Sequence, residues 1–234
     1  MINYAHRGAS QYAPENTLSS FYLGLIQGAN GIETDVRRTK DGVLVLFHDD
    51  TLDKKTGFSG TTCDYTLAEL KDMKLYGNCL TTFYDRIITL REFLEKFSQY
   101  DIRFAIELKG EGVEEDTLAM IKEFGLMEKT TFTSFYFDYI RKIKELDPAA
   151  RVGYLTEEGN DEDIKQLLSI QGEEIAPKAS GITEEKMQQW RKLGLGVRAW
   201  GVTSVSLMKK MCRFGVDGMT VNFPDCLHTY LSCH

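Results

Sequence analysis

Strand and helix signals alternate along most of this 234-residue chain, and this alternation constrains the fold more than any other feature. Short runs of apolar, β-branched and aromatic residues are each followed by a segment with apolar residues at helical spacing. Strands that alternate with helices usually pair in parallel through right-handed crossovers. The pattern therefore predicts an α/β protein, built either as a closed barrel or as an open, doubly wound sheet.

About eight strand–helix units can be counted from the amino terminus. The predicted strands cover residues 2–5, 31–37 continued by 43–47, 103–109, 130–134, 151–155, 174–177, 196–200 and 217–221. A predicted helix follows each strand, and the last helix begins after Pro224. Eight units in a chain of this length predict a (β/α)₈ TIM barrel, with the open sheet as the alternative.

Residues 51–88 interrupt the alternation with a segment rich in Gly, Thr and aromatic residues. Within it, Thr66-Leu67-Ala68-Glu69 has the capping-box pattern of a short helix, and Thr89-Leu90-Arg91-Glu92 restarts the main pattern. We interpret the segment as a small insertion after the second strand, within one domain that covers residues 1–234. Its aromatic residues are expected to form a small core of their own: Phe58, Tyr65, Tyr76, Phe83 and Tyr84.

Two carboxylates lie two positions apart in the second predicted strand. Successive side chains of a strand point to opposite faces, so Glu33 and Asp35 share one face with Arg37. Neighbouring carboxylates repel each other unless a cation neutralises them, and oxygen ligands suit a hard cation such as Mg²⁺ or Ca²⁺. The alternative is a solvated edge strand with two exposed acids.

Other polar residues follow the carboxyl ends of the predicted strands, where functional residues of parallel barrels lie. They are His6 and Arg7 after the first strand, His48 after the second, Glu107 and Lys109 late in the third, and Trp200 in the seventh. Taken singly, each has a structural alternative, since a lone strand-end histidine is more often structural than catalytic. Trp200 fits either the core or the lining of the barrel mouth.

Together these residues indicate one site. Glu33, Asp35 and Glu107 can converge with water on one divalent cation. Arg7 and Lys109 add positive charge that suits an anionic substrate, and His6 and His48 can transfer protons near neutral pH.

Composition excludes several other classes of protein. The formal net charge is −7 and the chain has no long basic block, so nothing indicates a nucleic acid or an anionic membrane as partner. No apolar run approaches transmembrane length, and no hydrophobic leader precedes the first strand. Five cysteines form no CxxC pair, which is typical of incidental thiols in a reducing compartment. We therefore expect a cytoplasmic protein without a stable membrane anchor.

Several motifs, taken in order, resemble the glycerophosphodiester phosphodiesterase family. They are His6-Arg7-Gly8, Pro14-Glu15-Asn16-Thr17, Glu33-Thr34-Asp35, His48-Asp49 with Thr51-Leu52-Asp53, Glu107-Leu108-Lys109, Phe132 to Phe135 with its Ser134, Val197 to Trp200, and Gly215-Val216-Asp217-Gly218 followed by Phe223-Pro224-Asp225. The resemblance spans essentially the whole chain.

The resemblance implies a barrel with a small insertion after the second strand and a metal-dependent hydrolase that releases glycerol 3-phosphate from a glycerophosphodiester. It implies a divalent metal on Glu33, Asp35 and Glu107, and His6 and His48 as the acid–base pair. Arg7 and Lys109 would bind phosphate, and we expect Trp200 to contact the substrate. Two alternatives remain: cleavage of lysolipids to a cyclic phosphate, and a catalytically silent barrel that binds phosphodiesters.

This chain departs from the family pattern at two places. The family commonly has Trp-Thr-Val-Asn where this chain has Trp200-Gly201-Val202-Thr203, and it commonly has Asp where Asn222 lies. These changes leave the proposed metal ligands and histidines in place, so they bear on substrate preference more than on activity.

Overall fold

The computed structural model describes residues 1–77 and 83–233. Its strands are β1 (Ile2–His6), β2 (Gly31–Arg38), β3 (Leu44–Leu46), β4 (Leu75–Tyr76), β5 (Tyr84–Asp85), β6 (Arg103–Leu108), β7 (Thr130–Ser134), β8 (Arg151–Thr156), β9 (Glu174–Pro177), β10 (Gly196–Val202) and β11 (Gly218–Val221). Its α-helices are α1 (Leu18–Ile26), α2 (Asp53–Thr56), α3 (Leu67–Asp72), α4 (Leu90–Phe97), α5 (Glu114–Glu123), α6 (Phe137–Leu146), α7 (Asp161–Ser169), α8 (Glu184–Lys192), α9 (Val205–Phe214) and α10 (Pro224–Cys233).

Eight parallel strands close into a barrel in the order β1, β2, β6, β7, β8, β9, β10 and β11. The first strand closes the ring, because β1 pairs in parallel with both β11 and β2. Helices connect successive barrel strands on the outside. The predicted TIM barrel is confirmed, and the open, doubly wound sheet is excluded.

The prediction was wrong about residues 43–47, which do not continue the second barrel strand. After β2 the chain turns back, and β3 pairs with it antiparallel, with Val36 opposite Leu46. The Phe47 amide donates to the Asp35 carbonyl at 3.1 Å. His48 therefore returns to the level of Asp35 and does not lie at the end of a barrel strand.

Local sequence determines where several helices begin. The side chains of Thr17, Thr66 and Thr89 each accept a hydrogen bond from the backbone amide three residues later. The side chain at that later position accepts a hydrogen bond from the backbone amide of the threonine. These reciprocal bonds satisfy amide groups that the first helical turn leaves unpaired. Both predicted capping boxes are confirmed.

The segment between β3 and α4 packs on a second apolar cluster, beside the main core. Its buried members are mostly aliphatic: Val45, Phe47, Leu52, Leu70, Met73, Leu75 and Ile87. The predicted aromatic core was largely wrong. Tyr65 packs against the cluster, but Phe58, Tyr76, Phe83 and Tyr84 are 39% to 50% exposed. Aliphatic side chains from β3 and α3 already fill the space, and the Tyr84 ring lies instead beneath the Lys74 ammonium.

The state of the cysteines and the length of the helices can be compared with the expectations from composition. Cys63, Cys212, Cys226 and Cys233 are free thiols, and Cys79 lies outside the described residues. Among residues 1–77 and 83–233, no helix has the length and apolar character needed to cross a membrane.

Candidate active site

Three buried carboxylates converge at the mouth of the barrel. Glu33 and Asp35 point inward from β2, and Glu107 points inward from the neighbouring strand β6, with Asp35 paired to Glu107 in register. Their exposed fractions are 3%, 0% and 7%. One oxygen from each of the three carboxylates lies within 4.8 Å of the others. The solvated edge strand is therefore excluded.

The turn after β1 places a guanidinium beside these acids. Arg7 and Gly8 both have positive φ, at 55° and 85°. A Cβ atom on Gly8 would lie 2.4 Å from the carbonyl carbon of Ser20, so only glycine fits this turn. The Arg7 amide donates to the Glu33 carbonyl at 2.9 Å, which fixes the turn against β2.

The Arg7 side chain lies between two carboxylates. Its Nε is 3.2 Å from Asp35 Oδ2, and its Nη1 is 3.1 Å from Glu15 Oε1. The second Glu15 oxygen, Oε2, contacts Lys55 Nζ at 3.0 Å. These contacts hold the guanidinium at the edge of the carboxylate cluster.

A second cation lies on the opposite side of the cluster. Lys109 follows the end of β6, and its Nζ is 2.7 Å from Glu107 Oε1 and 3.8 Å from Asp35 Oδ1. Lys109 and Glu107 lie together, as the alternation of β6 predicts, and Arg7 and Lys109 each contact a different oxygen of Asp35.

Two asparagines that sequence reasoning did not assign to the site support its acids and one histidine. Asn16 Nδ2 donates to Asp35 Oδ2 at 2.9 Å, and Asn16 Oδ1 accepts from the Thr34 hydroxyl at 2.7 Å. Asn222 Oδ1 is 2.5 Å from His6 Nδ1. In the sequence, only two features pointed to these residues. Asn16 lies in the family motif at residues 14–17, and Asn222 lies where the family commonly has Asp.

The two histidines have different partners. His6 Nδ1 faces the neutral amide of Asn222, whereas His48 Nδ1 is 2.8 Å from the Asp49 carboxylate. The other ring nitrogen of His6, Nε2, is 3.9 Å from Glu33 Oε2. Arg37 donates to the His48 carbonyl at 2.8 Å and holds that loop in place.

A cavity of about 280 Å³ joins these groups. Its charged and titratable lining includes His6, Arg7, Glu33, His48 and Glu107. The rest of the lining is more apolar and includes Phe135, Leu155, Trp200 and Val202, together with Gly201, Thr203 and Asn222. An adjoining cavity of about 420 Å³ shares His48, Glu107 and Phe135 and opens toward Asp49, Lys54 and Tyr136.

Trp200 lies at the cavity wall and is fixed there. Its Nε1 donates to the Thr156 carbonyl at 3.0 Å, and its ring packs edge-on against Phe135, with centroids 5.1 Å apart. Of the two interpretations left open by the sequence, the structure supports the lining of the barrel mouth.

Burial and mutual repulsion shift the ionisation of the carboxylates. Burial, and next the Asp35 carboxylate, raise the pKa of Glu33 well above its usual value and that of Glu107 to about 7. Burial alone would raise the pKa of Asp35 as well, but Arg7, His48 and Lys109 hold it well below its usual range. Asp35 is therefore the anion around which the neighbouring charges are arranged.

Burial also affects His6. Together with the adjacent Arg7 guanidinium, it lowers the pKa of this imidazole well below its usual value. His6 is consequently neutral near pH 7, and one of its ring nitrogens can accept a proton.

The donor set fits a hard divalent cation. Opposite ligands of such an ion lie roughly 4–5 Å apart, given metal–oxygen distances of about 2.0–2.6 Å. The carboxylate oxygens of Glu33, Asp35 and Glu107 satisfy that limit. Asp35 Oδ1 is buried and has no hydrogen-bond partner in the described part of the chain, as expected for an atom that could bind an ion. The cluster could thus hold a metal.

A second group, formed by Glu15, His48 and Asp49, meets the same distance limit. It fits an ion less well, because His48 Nδ1 and Asp49 Oδ1 contact each other at 2.8 Å. Among the described residues, this group also has no counterpart of the buried, unpartnered Asp35 Oδ1.

Acids, basic groups and imidazoles that converge at the carboxyl face of the barrel are typical of a TIM-barrel enzyme. Residues 6–226 match the Glycerophosphoryl diester phosphodiesterase family. A glycerophosphodiester phosphodiesterase of Caldanaerobacter subterraneus subsp. tengcongensis is 33% identical over 231 residues, which cover 95% of this chain and 94% of the relative. The chain belongs to the glycerophosphoryl diester phosphodiesterase family.

Solved structures show the same relationship. A phosphodiesterase of Oleispira antarctica, solved in complex with its product sn-glycerol-3-phosphate, is 30% identical, with a TM-score of 0.86 over 98% of this chain and 96% of that one. A putative glycerophosphodiester phosphodiesterase of Galdieria sulphuraria is 25% identical, with a TM-score of 0.88 over 98% of this chain and 96% of that one.

Proposed function

We propose that the chain hydrolyses glycerophosphodiesters to glycerol 3-phosphate and an alcohol, with one Mg²⁺ or Ca²⁺ ion bound by Glu33, Asp35 and Glu107. The observation that carries the proposal is the single cavity in which two of these carboxylates meet His6, His48 and Arg7. Family membership supports the reaction class. The relative from Oleispira antarctica, which was solved with its product sn-glycerol-3-phosphate, supports the substrate class.

When bound, a divalent cation would offset the negative charge on the phosphoryl oxygens in a site that excludes most water. Arg7 lines the first cavity and Lys109 the adjoining one, so their charges lie on two sides of the carboxylate cluster. Each cation is held by a carboxylate of that cluster, Arg7 by Asp35 and Lys109 by Glu107. We assign them to phosphate binding.

His6 and His48 both line the first cavity and are the proposed acid–base pair. One takes a proton from the attacking hydroxyl. If water attacks, glycerol 3-phosphate forms directly; if the neighbouring hydroxyl of the glycerol attacks, a cyclic phosphate forms first, and water must then open it to give glycerol 3-phosphate. The other donates a proton to the oxygen of the leaving alcohol. Their Nδ1 contacts with Asn222 and Asp49 orient the rings and leave the other ring nitrogen for proton transfer.

Phe135 and Trp200 pack against each other and contribute apolar surface to the cavity that the charged groups also line. Small-ligand sites commonly combine such surfaces with a few placed polar groups. We propose that the carbon face of the glycerol packs against this surface. Trp200 is the substrate-binding residue in this arrangement.

The described residues also bear on the two alternatives. A silent binding barrel is disfavoured, because both histidines and all three carboxylates are present and share one site. Lysolipid cleavage to a cyclic phosphate is disfavoured by the long 51–88 segment, since the lipid-cleaving relatives that the sequence resembles tend to have a shorter one.

We further propose that residues 1–234 form one domain, with residues 51–88 as an insertion. The pairing of β1 with β11 supports this arrangement, because it joins the two ends of the chain in one ring. The apolar cluster beneath the insertion includes Val45 and Phe47, which lie in or beside β3.

Product identity tests the proposed reaction. We expect ³¹P NMR to show glycerol 3-phosphate from glycerophosphocholine, glycerophosphoethanolamine and glycerophosphoglycerol in the presence of Mg²⁺ or Ca²⁺. The same experiment with lysophosphatidylcholine is expected to show little cyclic phosphate. A cyclic phosphate as the dominant and stable product would support the lysolipid alternative, and binding without turnover of any diester would support the silent barrel.

A further inference from the structure

We propose that Lys55 is a positioning residue for Arg7 and acts on it through Glu15. The inference rests on the proposed function, because it concerns the guanidinium that we assign to phosphate binding. It links the segment at residues 51–88 to the anion site, since Lys55 belongs to α2, the first helix of that segment.

A chain of contacts connects the lysine to the cavity. Lys55 Nζ is 3.0 Å from Glu15 Oε2, and Glu15 Oε1 is 3.1 Å from Arg7 Nη1. Arg7 then reaches Asp35 through Nε at 3.2 Å and lines the cavity. Lys55 itself lines neither cavity, so it has no direct contact with a bound phosphate.

The pair that Lys55 forms with Glu15 is buried. Their exposed fractions are 9% and 7%, which is unusual for a lysine and a glutamate unless they are paired. Buried ion pairs are held in one geometry more firmly than solvent-exposed pairs, and losing one partner leaves the other charge uncompensated. The Glu15 carboxylate is consequently fixed with one oxygen toward each cation.

Removing the Lys55 charge should change how Glu15 holds Arg7. Glu15 Oε2 would lose its cationic partner in a place that water reaches poorly. Glu15 would keep its contact with Arg7, and carboxylates pair with guanidinium groups through two parallel hydrogen bonds where they can. We therefore expect Glu15 to draw the guanidinium toward itself and away from the cavity.

Phosphate affinity measures this effect directly. Lys55→Met should weaken binding of inorganic phosphate, measured by calorimetry, by about tenfold, in line with other residues that act through a ligand-binding group. KM for glycerophosphocholine should rise in parallel, while kcat changes by less than about threefold. Lys55→Gln, which keeps a polar side chain, serves as the second variant if Lys55→Met does not fold.

Lys144→Met is the matched control. Lys144 is also 9% exposed and pairs with Glu173 at 2.6 Å, but it lies on α6 and lines neither cavity. Both substitutions should lower Tm, because each breaks a buried pair. Only the Lys55 variants should lose phosphate affinity, which separates positioning from a general loss of stability.

A double-mutant cycle tests the route through Glu15. In a Glu15→Gln background, Lys55→Met should change phosphate affinity by less than about twofold, because the carboxylate that transmits the effect is gone. Unchanged affinity in Lys55→Met, an equal loss in Lys144→Met, or a full tenfold loss in the Glu15→Gln background would each overturn the inference. If the wild type binds phosphate as expected but releases no glycerol 3-phosphate, the proposed function fails while the positioning role stands.

Discussion

Replacing either His6 or His48 by alanine is expected to lower kcat by at least about 10²-fold, the lower end of what general acid–base catalysis contributes. Substrate binding should change little, because proton transfer acts in the transition state and not in the ground state. The double variant should lose much less than the product of the two single losses, since groups that act as a unit are not additive. Steady-state kinetics with glycerophosphocholine checks all three expectations.

A substrate with a good leaving group assigns the two roles. Such a group departs without a proton, so a p-nitrophenyl phosphodiester should rescue only the variant that lacks the general acid. His228→Ala is the control, since His228 lies on α10 and lines neither cavity. If both single variants kept near-wild-type kcat and differed only in KM, the histidines would be binding or structural residues and the mechanism would be wrong.

Replacing any one of the three carboxylates should lower activity by a similarly large factor. Glu33→Gln, Asp35→Asn and Glu107→Gln keep the shape of each side chain but remove the charge that holds a divalent cation. Each should lose more activity than the roughly 10–100-fold that changes around a metal site cost, because these residues are the proposed ligands themselves. Mg²⁺ should raise Tm of the wild type by binding only the folded state, and this rise should vanish in the variants.

The Glu33→Gln variant also tests the stability of the metal-free protein, which an activity assay does not measure. Burial, and next the Asp35 carboxylate, raise the pKa of Glu33. Without a metal, the ionised Glu33 carboxylate therefore lowers the free energy of unfolding. Metal-free Glu33→Gln should therefore be at least as stable as the metal-free wild type in urea unfolding. Glu114→Gln is the control, because Glu114 is 9% exposed on α5 and lines neither cavity. A metal-dependent rise in Tm that survives in all three ligand variants would place the ion elsewhere.

The alternation of strands and helices carries most of the information about this fold. Parallel strands need a crossover between them, so counting the units predicts the barrel and the bounds of elements such as β7 and α6. Periodicity reports which face a residue occupies but not which strand lies beside it. For this reason the pattern of residues 43–47 predicts a continuation of β2, and the aromatic residues of 51–88 predict a core that the structure does not have.

The candidate site could be predicted in part for a related reason. Residues that end parallel strands meet at one face, so Glu33, Asp35 and Glu107 could be brought together from the sequence alone. Contacts such as Asn222 to His6, which lie 216 positions apart, leave no periodic signal in one chain. The sequence around Lys55 gave no signal of its role either, because a lysine on a short helix usually faces solvent. The cytoplasmic location and the absence of a nucleic-acid partner stay predictions.

Glycerol 3-phosphate release before and after metal removal tests the central claim most directly. The wild-type chain, dialysed against a chelator, should release no measurable glycerol 3-phosphate from glycerophosphocholine. Added Mg²⁺ or Ca²⁺ should restore release in the wild type but not in Asp35→Asn. Full turnover in metal-free buffer, or equal recovery of the Asp35→Asn variant, would contradict the assignment of Glu33, Asp35 and Glu107 as the metal site.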